Sequence, residues 1–167
     1  MIVHSRTVRP EEWQIWRDLR LKALADSPEA FGETLEHAIA RLDSQWIGLA
    51  AQAATSALKP LLAEETGRPI GIALVELTSD HANIYAMWVH PTARRLGVGR
   101  SLVRTAITIA ESEGVPQIRL RVTASNSGAV DLYRRTGFVD TGAREPLREG
   151  VRVETLVMVH YLCGGHR

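Results

Sequence analysis

The sequence holds little that would carry redox or metal chemistry. Its single cysteine, Cys163, excludes an internal disulfide, and no histidine or cysteine stands at zinc-ligand spacing, so no metal is expected. No activating base is recognisable beside Cys163 in the chain, and it reads as a tail thiol rather than a nucleophile. No apolar run approaches the roughly 18 residues of a membrane span. The start, MIVHSRTVRPEEW, lacks the apolar segment of a secretory signal. A cytoplasmic protein without a membrane partner is the expectation. Charge of one sign is missing too: 20 Lys+Arg stand against 19 Asp+Glu, a net +1. A chain built around a nucleic-acid backbone usually carries a strongly basic signature, so no nucleic-acid partner is expected, and any anion site must be local.

What is there is ordinary globular material, 45% hydrophobic and 23% charged over 167 residues. That length favours one domain, 1–167, with one well-packed core; no repeat, low-complexity tract or linker interrupts it. IVHSRTV (2–8) alternates as a first strand. After Pro10, a helix with Trp13, Trp16, Leu19 or Arg20, and Ala23 or Leu24 at helical spacing is predicted. Ser27-Pro28 has the form of an N-cap and first-turn proline, predicting a second helix through PEAFGETLEHAIARL. Asp43 is the expected cap of a third, SQWIGLAAQAAT. The period then changes to three antiparallel strands near 59–64, 69–77 and 82–89, separated by ETGRP and TSDHA. A helix follows over GVGRSLVRTAITIAESEG, with Gly114 as its C′ residue. Next come a strand QIRLRV, a short helix NSGAVDLYRRTG, and two strands, FVDTGA and VRVETLVMVHYL. The strand–helix–strand unit at 82–122 predicts a parallel crossover. The fold class is α+β, a mixed and mostly antiparallel sheet flanked by helices.

The densest signal is HPTARRLGVGRSLVR (90–104). It follows a strand and opens a helix, whose first N–H groups lack intrahelical partners and whose dipole is positive there. Gly97 and Gly99 permit close backbone approach and positive φ. Arg94, Arg95 and Arg100 add donors suited to phosphate. Together these describe a diphosphate cradle; a helix start with a solvated basic face has the same residues. A G-x-x-x-x-G-K-[ST] loop is absent, which excludes a P-loop NTPase, and a dinucleotide fingerprint fails at Leu102, where a third glycine is needed.

These residues resemble the GNAT superfamily of N-acetyltransferases, whose signature [RQ]-x-x-G-x-[GA] follows a strand ending V-x-P. Here it reads Val89-His90-Pro91 and then Arg94-Arg95-Leu96-Gly97-Val98-Gly99. A second element, N-x-x-A…L-Y-x-x-x-G-F, is matched by Asn126, Ala129, Leu132, Tyr133, Gly137 and Phe138. The likeness covers nearly the whole chain. It implies the GNAT acyl-CoA N-acyltransferase fold and acetyl-CoA as co-substrate. The pyrophosphate would lie on Arg94, Arg95, Leu96, Gly97, Val98, Gly99, Arg100 and Ser101, largely through backbone. The pantetheine arm would lie along Met87, Trp88 and Val89, pairing like an extra strand in a gap beside the next parallel strand. A backbone N–H there would stabilise the developing oxyanion. Asn126 has two readings, a bond to the pantetheine region and a plain helix cap. Tyr133 falls where the family's general acid lies, able to give the leaving sulfur a proton or hydrogen bond; a packed helix tyrosine is the plainer alternative.

The implied reaction is direct acetyl transfer to an amine acceptor. Some family members use a glutamate on the strand before the turn as base, whereas HANIYAMWVHP contains no acid. A water chain, Glu33 or Glu154 are the candidates left. The acceptor pocket is expected among the first helices, strand 82–89 and the loop GAREPLREGVR, with Phe31, Glu33, Tyr85 and Glu154 as candidate contacts. A small-molecule amine is favoured over a protein N-terminus. A non-catalytic acyl-CoA sensor of the same fold and a dinucleotide-dependent oxidoreductase are the rival classes. Many small relatives form dimers, and the sequence leaves a homodimer open.

Overall fold

The computed structural model describes residues 1–162, so Cys163 lies outside the described residues. Seven strands form one sheet: β1 (Val3–Thr7), β2 (Leu58–Glu65), β3 (Arg68–Leu77), β4 (Ala82–Val89), β5 (Gln117–Thr123), β6 (Val139–Pro146) and β7 (Glu154–Tyr161), in the order β1-β2-β3-β4-β5-β7-β6. Every neighbouring pair is antiparallel except β4 and β5. Helices α4 (Val98–Ser112) and α5 (Ser127–Arg135) cover one face; α1 (Trp13–Asp26), α2 (Leu35–Ile39) and α3 (Asp43–Ala51) cover the other. This is the mixed, mostly antiparallel α+β arrangement that the sequence predicts.

The layers follow from side-chain period. On α4, Val98, Leu102, Val103, Ala106 and Ala110 recur at three- and four-residue steps and are buried against the sheet. Gly71 of β3 admits that helix closely: a Cβ there would stand 3.1 Å from Val98 Cγ1 and 3.2 Å from Leu102 Cδ1. Gly114, at φ +72°, ends the helix as its C′ residue. On the opposite face Trp16, Leu19, Ala23 and Leu24 of α1 pack with Trp46 of α3 over Leu62, Ile72 and Trp88.

Three local expectations are corrected. Ser27-Pro28 opens only a 3₁₀ turn, Pro28–Ala30, and the chain then extends through Phe31. The second helix is the short α2, capped by Thr34, whose Oγ1 accepts from His37 N at 3.2 Å. Burial of Phe31, 6% exposed, draws the segment off the helical path and onto the core. Asp43 does not cap α3 but sits in its first turn; Leu42 is the N-cap, its N–H satisfied by Gln45 Oε1 at 2.9 Å. Finally, β6 runs on to Pro146 through an irregularity between Asp140 and Arg144. There Asp140 accepts from Gly142 N at 2.8 Å and from Arg144 Nη1 at 2.9 Å, so GAREP is strand and the loop shortens to 147–153.

Candidate functional site

The central feature is a parting of β4 from β5. Their parallel pairing covers only Ala82–Ile84 with Ile118–Leu120. Beyond Ile84 the two strands diverge, and β5 stays paired to β7 as far as Thr123. The cause is visible on β4. Ile72 of β3 faces Trp88 and Leu74 faces Tyr85, so Ala86 and Met87 stand opposite Ala73 alone, and Ala86 takes φ +56°. Such a bulge bends its strand and interrupts the ladder. It leaves the Met87–Val89 segment beside an open gap, with backbone groups that β5 does not pair.

The arginine–glycine turn lies at the upper end of that gap. Gly97 is the N-cap of α4 at φ +85°, and no side chain caps this helix. Ser101 N is the first amide to close, on Gly97 O at 3.0 Å. Among the described residues, the amides of Gly97, Val98, Gly99 and Arg100 make no well-formed hydrogen bond. Four donors with no partner, at the positive end of a 15-residue helix, are the physical specification of an anion site. A cleft of about 660 Å³ opens beside them, between α4 and β1, lined by Gly97, Arg100, Ser101 and Arg104.

The two glycines have separate reasons. Gly97 has open space where a Cβ would be but needs its positive φ. Gly99 has an ordinary φ, and there a Cβ would meet Leu132 Cδ2 at 2.8 Å. Gly99 therefore lets α5 pack on the first turn of α4. The arginines also differ. Arg95 is exposed at φ +62° and Arg100 is exposed, with Leu96 between them on the surface. Arg94 is committed to protein: its Nε donates to Val89 O at 3.0 Å and its Nη2 to Asp26 Oδ2. The Ser101 hydroxyl is engaged by Ser5 Oγ of β1 at 2.6 Å.

Asp26 is the residue that sequence reasoning passed over. Besides Arg94 it accepts from Trp88 Nε1 at 3.0 Å and from Ser27 Oγ at 2.7 Å. The Trp88 bond, with help from Ser27 and Arg94, pulls its carboxyl down to about 2. One carboxylate thus ties the end of α1 to the bulged strand and to the turn. The clue in the sequence is an acid in the last turn of a helix, where the dipole disfavours it unless something else holds it there.

Tyr133 stands on α5, in the core cluster that also holds Ile84 of β4 and Leu120 of β5. Its ring is buried, 5% exposed, and meets Phe138 edge-on at 5.8 Å. Burial raises its pKa and keeps the phenol protonated. Among the described residues its hydroxyl has no hydrogen-bond partner, yet it is not a sealed polar atom: Arg20 Nη1 alone has that status. Asn126 caps α5, Oδ1 accepting from Ala129 N at 3.2 Å.

On the opposite face lie the remaining candidates. Phe31 is overlain by the Arg20 guanidinium at 4.8 Å. Glu33 is surrounded by Arg20 Nη2 at 3.3 Å, His37 Nδ1 at 3.0 Å and Arg41 Nη2. This carboxylate is a brace for the α1–α2 segment. That segment crosses the end of β5, where Thr123 Oγ1 donates to Glu29 O at 3.1 Å, and meets the 147–153 loop, where Arg148 Nη1 donates to Phe31 O at 3.1 Å. Tyr85 lies half-exposed on β4, its hydroxyl donating to Glu76 Oε2 at 3.2 Å. Glu154 is exposed at the start of β7, opposite Pro146, and its carbonyl accepts from Ala124 N at 3.1 Å just past the end of β5. His81 is a hairpin residue, bound to Asp80 and Thr78.

Among the described residues no group of three or more histidines, cysteines or acids is gathered as for a metal, and no helix is long and apolar enough to cross a membrane.

Comparison with known proteins agrees with this geometry. A mycothiol acetyltransferase of Thermomonospora curvata is 33% identical over 138 residues, 81% of this chain and 44% of that protein. The chain thus spans under half of that relative's length. The Escherichia coli [ribosomal protein bS18]-alanine N-acetyltransferase is 31% identical over 97 residues, 56% of this chain and 65% of its own. The Salmonella typhimurium protein yncA, solved with its cofactor acetyl-CoA, superposes with a TM-score of 0.79 at 18% identity, covering 97% of this chain and 95% of that one. Residues 13–138 match the acetyltransferase (GNAT) family as a whole, and the chain belongs to that family.

Proposed function

We propose that the chain is an acetyl-CoA-dependent N-acetyltransferase that passes an acetyl group directly to an amine. The observation that carries the reading is the set of four unpartnered amides, Gly97–Arg100, at the mouth of the β4–β5 gap. The residues present fit coenzyme A. The amides take its linked phosphates, with Arg95 and Arg100 adding exposed charge and Arg94 holding the turn in shape through Asp26. The freed edge of β4 at Met87, Trp88 and Val89 suits an extended, amide-bearing arm, and Asn126 fixes the start of α5 on its other side. Bound acetyl-CoA supplies the activated acetyl thioester.

The chain's own part is positional and protonic. A main-chain N–H beside the bulge faces the carbonyl oxygen as charge develops on it. Tyr133, held neutral by burial and with its hydroxyl uncommitted, gives the departing sulfur a hydrogen bond or proton. The amine enters from the α1–α2 face, past Phe31 and Tyr85. There the α1–α2 segment and the 147–153 loop touch through Arg148 and Phe31, which favours a compact small-molecule acceptor over an extended peptide.

The test is thiol release from acetyl-CoA with a panel of small amines and an alanine N-terminal peptide, alongside calorimetric binding. Turnover with a small amine supports the reading. Preference for the peptide overturns the acceptor class. Tight binding with no turnover on any amine overturns the enzyme and favours an acyl-CoA sensor.

A further inference from the structure

Strand β4 brings no acid of its own to the gap, yet a carboxylate stands beside it. Glu76 of β3 lies directly opposite Asn83 in the antiparallel register. Its Oε2 accepts from Asn83 Nδ2 at 3.1 Å and from Tyr85 Oη at 3.2 Å. Among the described residues, Oε1 has no partner. Tyr85 is the first β4 residue past the last β4–β5 pair, Ile84 with Leu120. The carboxylate–phenol pair therefore sits at the apex of the gap, where the strands begin to part.

It is also on the opposite side of the sheet from Tyr133. Side chains alternate along β4: Ile84 belongs to the core under α4 and α5, as does Tyr133, whereas Tyr85 faces the α1–α3 side with Leu74, its partner on β3. An acid and a base on opposite sides of one opening is the arrangement that direct transfer needs. The sulfur leaves towards one side while the amine arrives from the other. The other groups near the pair are Arg121 of β5 and Glu145 of β6, which bond each other at 3.3 Å.

We infer that Glu76, working through the Tyr85 hydroxyl, is the proton acceptor for the incoming amine, so that the base comes from the neighbouring strand. This rests on the transferase reading above. An N–H bond of the substrate ammonium breaks and its proton passes to Tyr85 Oη. The phenol's own proton passes to Glu76 Oε2. The amine is left neutral with its lone pair free, Tyr85 is unchanged, and Glu76 is a carboxylic acid that later returns its proton to water. Asn83 and Tyr85 hold Oε2 in place.

The experiment compares wild type with Glu76→Gln and Tyr85→Phe by thiol release from acetyl-CoA across pH. It uses two probe classes: alkyl amines, protonated at neutral pH, and aryl amines, already neutral. Acetyl-CoA affinity by calorimetry checks that each variant is intact. The expected result for Glu76→Gln is a loss of kcat/KM with the alkyl amine of about 10²-fold at pH 7. That loss should shrink as pH rises and the amine deprotonates by itself, and it should be much smaller with the aryl amine. Tyr85→Phe should fall in the same direction. Unchanged alkyl-amine turnover in Glu76→Gln overturns the assignment, as does an equal loss with both amines at every pH. If wild type binds acetyl-CoA but turns over no amine, the transferase reading falls and this inference with it. If wild type is active and Glu76→Gln is indistinguishable, only this inference falls.

Discussion

The proposed cradle at Gly97–Arg100 and the proposed acceptor wall around Phe31 and Glu33 are built on opposite principles. The cradle is main chain with its hydrogen bonds withheld: four amides have no partner among the described residues, and the turn is held by a glycine at φ +85° and by Arg94 turned back onto Val89 and Asp26. The wall is side chains with their bonds already spent. Glu33 is ringed by two guanidinium groups and an imidazole, Phe31 lies under Arg20, and Arg148 closes on the Phe31 carbonyl. A set of unpartnered amides at a helix start selects an anion, whatever side chains surround it. A wall of interlocked side chains can be re-cut for another acceptor without touching the cradle. The difference explains why the family's cofactor is written plainly in this chain and its acceptor is not.

The sharpest way to test that division is Tyr133→Phe. On this account kcat falls about 10²-fold while acetyl-CoA affinity and thermal stability hold, since the hydroxyl bonds nothing among the described residues. A change in melting temperature equal to that of a core truncation would mean that Tyr133 is there for packing alone. Glu33→Gln acts on the other region. It leaves buried Arg20 short of its counter-charge, so unfolding free energy should drop by about 2 kcal/mol with little change in acetyl-CoA affinity. A calorimetric loss of cofactor binding would show that wall and cradle are not separable. Gly97→Val should weaken acetyl-CoA about 10-fold, from the 1–2 kcal/mol or so of strain that a side chain meets at positive φ. Here the cause is torsional, because the space around Gly97 is open. Unaltered affinity would remove the turn from the binding site.

The smallest effect concerns Asp26, which joins the end of α1 to β4 and to the turn. Asp26→Asn should raise the KM for acetyl-CoA a few-fold and leave kcat near wild type. Its folded pKa, about 2, lies below the unfolded carboxylate value of about 4. The unfolded chain therefore binds the proton more readily. The stabilisation is complete above about pH 4 and is lost as pH falls through about 2. Acid unfolding followed by circular dichroism should show that contribution missing in Asp26→Asn.

What was legible in the sequence sorts along the same line. The α4 turn is readable because Gly97, the arginines and the preceding strand are consecutive, and helix-start physics applies to them directly. Burial on α4 is readable from its spacing. The Ser27-Pro28 signal failed because a local cap motif competes with burial of Phe31, which no local rule weighs. The β6 extension was hidden by Gly142, a turn residue that here serves an irregularity inside a strand. Asp26 was invisible because its partners, Arg94 and Trp88, lie far along the chain, and Glu76 because only the β3–β4 hairpin register sets it against Asn83 and Tyr85.

On the proposed reading the unpartnered amides at the start of α4 hold the diphosphate of coenzyme A. Amide NMR during titration with coenzyme A, set beside titration with pantetheine, which lacks the diphosphate, tests it most directly. Large shifts are expected at Gly97, Val98, Gly99 and Arg100 with coenzyme A and none of that size with pantetheine. Saturable coenzyme A binding that leaves those four resonances in place would contradict it.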